Sequence, residues 1–321
     1  MSPFDRLIGQ PQAVALLTQA IAKNRIAPAY LFVGPEGIGR SLAARCFAEA
    51  IFSQTLAPAK QATLRSRIDQ GNHPDLMWVE PTYMIQGKRV TVTAATAAGE
   101  KPKTPPIIRL DQIREVGQFV ARSTLEGPRS LVILAQANAM AEAAANALLK
   151  TLEEPGQATL ILLAPTVDAL LPTLVSRCQR IPFRRLSQAQ MQQVLAQTDH
   201  ADLLAQPEIL TLAEGSPGAA IAHWQQQQTI ATDLLQHLSQ RPRNHRQALT
   251  LAQQLSRELS LEAQLWLIGY LQQRYWRSSD RPTPAPSDLA PLHLPEQARS
   301  YLLQNVNPRL VWEVTLMKMV P

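Results

Sequence analysis

Short apolar runs alternate with amphipathic stretches through the first half of the chain. Residues 29–33, 76–79, 130–135, 159–164 and 178–183 read as strands. Between them, apolar residues recur every three or four positions, the spacing of a helix with one buried face. In 10–23 the stripe is Val14, Leu17 and Ile21; in 110–120 it is Leu110, Ile113, Val116 and Val120. A further helix is predicted over 141–154 and stopped by Pro155-Gly156. Strands alternating with helices predict an α/β domain built on a mostly parallel sheet. The pattern weakens from 54 to 107, and 88–106, rich in Thr, Ala, Lys and Pro, reads as an exposed excursion without a period.

Beyond Arg185 the strand pattern disappears. Helices are predicted over 187–198, 207–215, 217–228, 230–238, 246–259, 261–276, 296–303 and 308–319, with a proline-rich loop at 278–291. The expected plan is an α/β domain over 1–185, a small helical lid over 186–222 and a helical bundle over 223–321. No internal repeat is evident.

Composition narrows the class. The chain has 321 residues, 45% hydrophobic and 17% charged, enough for two or three packed domains and too apolar for disorder. No apolar run approaches the roughly 18 residues of a membrane span. The N-terminus lacks a basic stretch followed by an apolar core, so no secretory signal and no membrane partner are expected, and the cytoplasm is the expected compartment. Cys46 and Cys178 lie too far apart in sequence to suggest a metal site, and the six histidines are scattered; no metal is expected. The net charge is +6, and the basic excess lies wholly in residues 1–185, with 21 Lys/Arg against 14 Asp/Glu. That favours an acidic partner for this half or, equally, ordinary surface solubility.

The chemistry concentrates at Gly34-Pro35-Glu36-Gly37-Ile38-Gly39-Arg40-Ser41. This octet has the spacing of the phosphate-binding loop G-x-x-x-x-G-K-[ST], follows a predicted strand and opens a predicted helix. Gly34, Gly37 and Gly39 let the backbone N–H groups turn inward toward an anion. Arg40 replaces the lysine, and its planar fork is bulkier than an ammonium. Ser41 keeps a hydroxyl for Mg²⁺. The 130–135 strand runs out in Ala135-Gln136, where an active nucleotide hydrolase needs an acidic pair, one acid for the metal and one to position water. Together Arg40, Ala135 and Gln136 predict a nucleotide fold without turnover of its own, with ATP and Mg²⁺ bound weakly or not at all.

Asn146-Ala147-Leu148-Leu149-Lys150-Thr151-Leu152-Glu153-Glu154-Pro155 pairs a core-packing leucine stripe with two acids at the negative end of a helix. Such acids read as a solvated helix end unless something else employs them. Ser176-Arg177-Cys178 precedes a strand. Arg177 reads as a surface charge or as an arginine lent to a neighbouring chain's γ-phosphate. The C-terminal tryptophans fall in helical stretches, where core or helix–helix packing accounts for them better than base stacking does.

Residues 31–41, 131–155 and 171–183, in this order and spacing, resemble the clamp-loader branch of the AAA+ proteins. Ile8-Gly9-Gln10, His73-Pro74-Asp75, the 108–114 run and Asn307-Pro308-Arg309-Leu310 are similar to it as well. The resemblance implies an AAA+ ATPase-like domain, a helical lid and a C-terminal collar that holds a hetero-pentameric ring together. It implies γ/τ and δ subunits as partners, with the sliding β clamp and primed DNA reached through the complex. It puts the role of arginine finger, acting in trans, on Arg177. The motor subunits of the branch carry the loop lysine, the acidic pair and a nucleotide-sensing arginine where Gly218 stands here. Their absence implies a non-catalytic member. A four-cysteine zinc module common in the family has no counterpart in 52–74, so no zinc is expected. The alternatives are a stand-alone AAA+ ATPase and a DNA-binding adaptor.

Overall fold

The computed structural model describes all residues except 1, 57, 100–103, 239–240, 279–285, 305 and 321. These fall into two compact units, Met1–Gln190 and Met191–Pro321. The division lies inside a helix (Gln188–Gln197), just after the expected 185/186 boundary, and the expected 222/223 boundary lies inside another (Pro217–Gln228).

In the first unit, strands β1 (Ala29–Val33), β2 (Leu76–Val79), β5 (Ser130–Leu134), β6 (Ala158–Ala164) and β7 (Gln179–Pro182) form one sheet in the order β2-β5-β6-β1-β7. Every neighbouring pair is parallel. Helices cover both faces: α1 (Pro11–Ala22), α2 (Arg40–Phe52), α3 (Pro58–Asp69), α5 (Leu110–Val120), α6 (Glu142–Glu153) and the short α7 (Pro172–Val175), while α4 (Val92–Ala97) packs on residues 82–91. The sheet with its flanking helices is the expected α/β architecture on a parallel sheet. Alternation along β1 sorts its side chains between two cores. Leu31 joins Val132, Leu134, Leu160, Leu162 and the apolar faces of α5 and α6. Tyr30 turns the other way and meets Phe47 of α2 edge to face, with ring centroids 5.2 Å apart. A strand buried on both faces has no polar face to show, which is why these segments read as continuous apolar runs.

The 88–106 excursion is a misreading in part. Residues Thr82–Ile85 (β3) and Lys88–Thr91 (β4) form an antiparallel hairpin, followed by α4. Gln86 and Gly87 make its two-residue turn, both with positive φ (48° and 77°), the conformation such turns demand. The hairpin stands outside the main sheet, so it lacks the apolar alternation of a core strand. Arg89 fastens it to α5 through Asp111 (3.1 Å) and Glu115 (2.7 Å). Lys101, Pro102 and Lys103 of that excursion lie outside the described residues.

The second unit is all helix: the larger part of α8 (Gln188–Gln197), then α9 (Pro207–Ala213), α10 (Pro217–Gln228), α11 (Thr232–Leu238), α12 (His245–Glu258), α13 (Leu261–Ser278), α14 (Pro286–Leu303) and α15 (Pro308–Lys318). Helix α14 begins inside the expected proline-rich loop, at a proline, a residue suited to a helix's first turn because its missing N–H would be unpaired there anyway. The loop's Arg281-Pro282-Thr283-Pro284-Ala285 lies outside the described residues. The core gathers Leu251 and Leu255 of α12, Leu267, Ile268 and Leu271 of α13, and Trp312 and Leu316 of α15. Trp312 is fully buried and its indole N–H donates to Gln264 Oε1 at 2.9 Å, so this tryptophan is core.

Candidate functional site

All five strands of the main sheet run the same way, so the loops at their C-terminal ends share one edge. Gly34 to Gly39 lies there, between β1 and α2. A Cβ on Gly34 would sit 2.6 Å from the carbonyl oxygen of Phe183, just past β7, so this position admits only glycine. Gly37 (φ 72°) and Gly39 (φ 104°) take left-handed backbone and curl the loop into the start of α2. Gly39 caps α2 without a side chain, which leaves the first N–H groups of the helix turned toward the loop. The loop is held from outside by Gln10, which is 3% exposed. Its amide donates to the carbonyls of Arg184 (2.8 Å) and Ile38 (3.4 Å) and accepts from the Arg184 N–H (3.0 Å). Apart from its place in Ile8-Gly9-Gln10, nothing in the sequence marks Gln10 for this contact, since its partner lies 174 positions away.

Arg40 opens α2 and is only 7% exposed. Its Nη1 has no hydrogen-bond partner among the described residues. Burial pulls its pKa below the ordinary arginine value, and the attraction of Glu36 restores only part of the shift. The side chain that replaces the lysine is thus a desolvated cation with an unfilled donor. Ser41 is exposed one residue on.

On the same edge, β5 ends at Leu134. The Ala135 N–H donates to the Val79 carbonyl at 2.8 Å, and Gln136 turns into the left-handed region (φ 52°, ψ 52°) with its side chain exposed. No carboxylate stands at the end of β5. Glu36, Glu80 and Asp168 lie in the segments that follow β1, β2 and β6.

Arg177 lies elsewhere. It follows α7 and precedes β7, whose first residue, Gln179, pairs with Tyr30, while Pro182 pairs with Val33 beside the loop. Three residue steps along the strands, roughly 10 Å at about 3.3 Å each, separate those two levels. Arg177 is therefore on the opposite edge of the sheet from Gly34, Arg40 and Gln136, out of reach of the loop in its own chain. Its Nη2 donates to Glu153 Oε1 at 2.7 Å and its Nη1 to the Thr173 carbonyl at 3.1 Å. The reading of Glu153 as a plain solvated helix end is corrected: it is ion-paired to Arg177. Burial raises the neighbouring Cys178 thiol to about 11, so it stays protonated and unreactive near neutral pH.

His73-Pro74-Asp75 is a structural turn leading into β2. The Asp75 carboxylate accepts the N–H groups of Leu125 (2.8 Å), Glu126 (2.7 Å) and Gly127 (2.7 Å). Burial alone would raise its pKa; these three donors more than offset that and hold it below the usual range. The His73 ring stacks on Phe52 at 4.0 Å and its Nδ1 accepts the Asp75 N–H at 3.2 Å. Desolvation lowers the His73 pKa.

Two family descriptions match consecutive parts of the chain. DNA polymerase III, delta subunit, matches residues 9–187. The C-terminal domain of cyanobacterial DNA polymerase III delta prime matches residues 189–319. DNA polymerase III subunit delta' of Bacillus subtilis is 32% identical over 193 residues, 59% of this chain and 52% of that protein. DNA polymerase III subunit delta' of Pseudomonas aeruginosa is 34% identical over 213 residues, 64% of this chain and 58% of that protein. The chain thus spans 52% and 58% of the length of these curated relatives. A crystal structure of a DNA polymerase III, gamma subunit-related protein from Thermotoga maritima superposes with a TM-score of 0.56 at 16% identity, covering 96% of this chain and 99% of that one. That likeness is one of fold.

Proposed function

The chain belongs to the DNA polymerase III delta subunit family, and we propose that it is a non-catalytic, delta-prime-type subunit of the clamp loader. In this reading it helps γ/τ and δ subunits open the sliding β clamp and set it on primed DNA during replication. Its own loop hydrolyses nothing. Arg177 reaches the ATP site of an adjacent γ/τ motor subunit as an arginine finger, a contribution worth about 10³–10⁵ in rate where fingers have been removed.

The observation that carries the reading is the division of the candidate residues between the two edges of the sheet. The loop edge keeps a curled phosphate cradle but has no carboxylate at the end of β5 to anchor a metal or position water. The far edge presents an arginine with its side chain 39% exposed. A chain built this way has lost what it would need to turn over ATP and kept what a neighbour could use.

The remaining parts follow from the same reading. ATP and Mg²⁺ are not required and bind weakly at the Arg40 loop, no zinc is bound, and the protein works in the cytoplasm. The polymerase holoenzyme, not this subunit, is the nucleotidyltransferase. Helices α14 and α15 form the collar contact of a hetero-pentameric ring. Tyr301, Leu310 and Val314 are exposed there beside a cavity of about 330 Å³. Exposed apolar area of this kind suits a subunit interface.

Reconstitution tests the proposal. The purified chain alone is expected to show no ATP turnover, while its addition to γ/τ and δ with clamp and primed DNA raises both ATPase and clamp loading. Turnover by the chain alone at the rate of a motor subunit would overturn it, as would a loader indifferent to its presence.

A further inference from the structure

Resting on the finger reading of Arg177, we infer that Glu153 is the positioning residue for that finger. Glu153 is the last residue of α6, at the negative end of the helix dipole, where a carboxylate is disfavoured. What it gains there is Arg177, at 2.7 Å. Glu153 lies in the Asn146–Pro155 run and Arg177 stands in Ser176-Arg177-Cys178. The sheet brings these two segments together on the edge away from the loop.

The arrangement is an anchor rather than a fastener. With the two side chains 39% and 53% exposed, the pair adds little to folding stability. Its effect is on geometry. The Thr173 carbonyl takes one donor on Nη1 and Glu153 one on Nη2, which fixes the plane of the guanidinium at the end of a long flexible stem. A guanidinium has five N–H donors, so three remain for an incoming phosphate. Freezing an arginine stem during the encounter costs rate; if the whole of its rotamer freedom had to be lost at that step, the cost would be about 30-fold. Glu153 removes part of that cost in advance, as positioning groups do.

The test uses the full chain reconstituted with γ/τ, δ, clamp and primed DNA. Four variants are compared: Arg177→Ala, Glu153→Ala, Glu153→Gln and the Arg177→Ala/Glu153→Ala double. Glu153→Ala is expected to lower the maximal ATPase rate about 3–30-fold, with ring assembly and the KM for ATP unchanged. Glu153→Gln keeps the acceptor oxygen and restores most of that rate. In the Arg177→Ala background Glu153→Ala adds nothing, because the residue acts only through the arginine. Should Glu153→Ala fail to enter the ring, Glu153→Asp carries the test, since it keeps the charge but withdraws the carboxylate by one methylene. A slow Arg177→Ala loader beside a Glu153→Ala loader as fast as wild type, or faster, overturns the positioning role and leaves the finger reading standing. An Arg177→Ala loader that runs at the wild-type rate overturns the finger reading, and this inference with it.

Discussion

Replacing Arg40 with methionine should make the first unit more stable. The guanidinium is 7% exposed, its Nη1 has no partner among the described residues, and Glu36 offsets only part of the desolvation. An unsatisfied buried polar atom costs about 1–3 kcal/mol, and more when it carries charge. Methionine keeps most of the apolar stem, which an arginine also uses for packing. Glu36 is exposed, so removing the cation leaves no buried charge unpaired and relieves only the penalty of the unfilled donor. Arg40→Met is therefore expected to gain about 1–3 kcal/mol, whereas Arg40→Ala, which also loses the stem, gains less or nothing. Urea unfolding reads the change as a shifted midpoint at constant slope, and hydrogen exchange in β1 and α2 assigns it to the first unit. A loss of more than about 1 kcal/mol in Arg40→Met would refute the argument, because the guanidinium would then be well compensated. ATP·Mg²⁺ supplies a second arm. Stabilisation of the wild type by about 2.7 kcal/mol at about 0.1 mM ATP would put the Kd at about 1 μM and end the reading of a weak site.

Gln10→Leu should destabilise the first unit by about 2–4 kcal/mol in the same unfolding assay, since it strands the N–H and carbonyl of Arg184 that the amide now pairs; a change under about 0.5 kcal/mol would mean that water replaces the amide without loss. His73 gives the pH dependence. Its pKa is lowered in the folded protein, so the unfolded chain binds the proton more readily. Its contribution is then complete above the unfolded value near 6.5 and is lost as the pH falls below it. Thermal melts from pH 7.5 to 5 should show that decline, and His73→Asn should remove its share, leaving that of His223, whose pKa desolvation also lowers. Asp75, also lowered, adds a separate acid limb that begins only below about 3.8, the unfolded value.

Local physics decided what could be read from the chain. Strands β1 and β2 and helix α5 run just as the sequence predicts, because burial on both faces of the sheet and on one face of the helix writes itself directly into the residue pattern. The hairpin at 82–91 was lost because an exposed ribbon outside the core has no such pattern. Its one signal, Gly87 after Gln86, is weaker than an Asn-Gly turn. The loop glycines were legible because their chemistry is contiguous. Gln10 with Arg184 and Glu153 with Arg177 were not, since each pair is assembled by the sheet from segments 174 and 24 positions apart.

The polarity of the sheet also constrains where any catalysis involving Arg177 can take place. In a parallel sheet every strand enters at one edge and leaves at the other, so a loop after β1 and a residue before β7 end up on opposite sides even though the two strands are hydrogen-bonded neighbours. The phosphate cradle is a strand-exit feature, Gly34 to Gly39, and Arg177 is a strand-entry feature. No rotamer of an arginine spans the length of a strand. A phosphate met by Arg177 must therefore belong to another molecule. The two edges can also change independently: a substitution at the β5 exit leaves the geometry at the β7 entry untouched, because Glu153 and the Thr173 carbonyl hold Arg177 without help from the loop. On the proposed function, the loop edge and the arginine edge of one sheet therefore serve two different nucleotide sites.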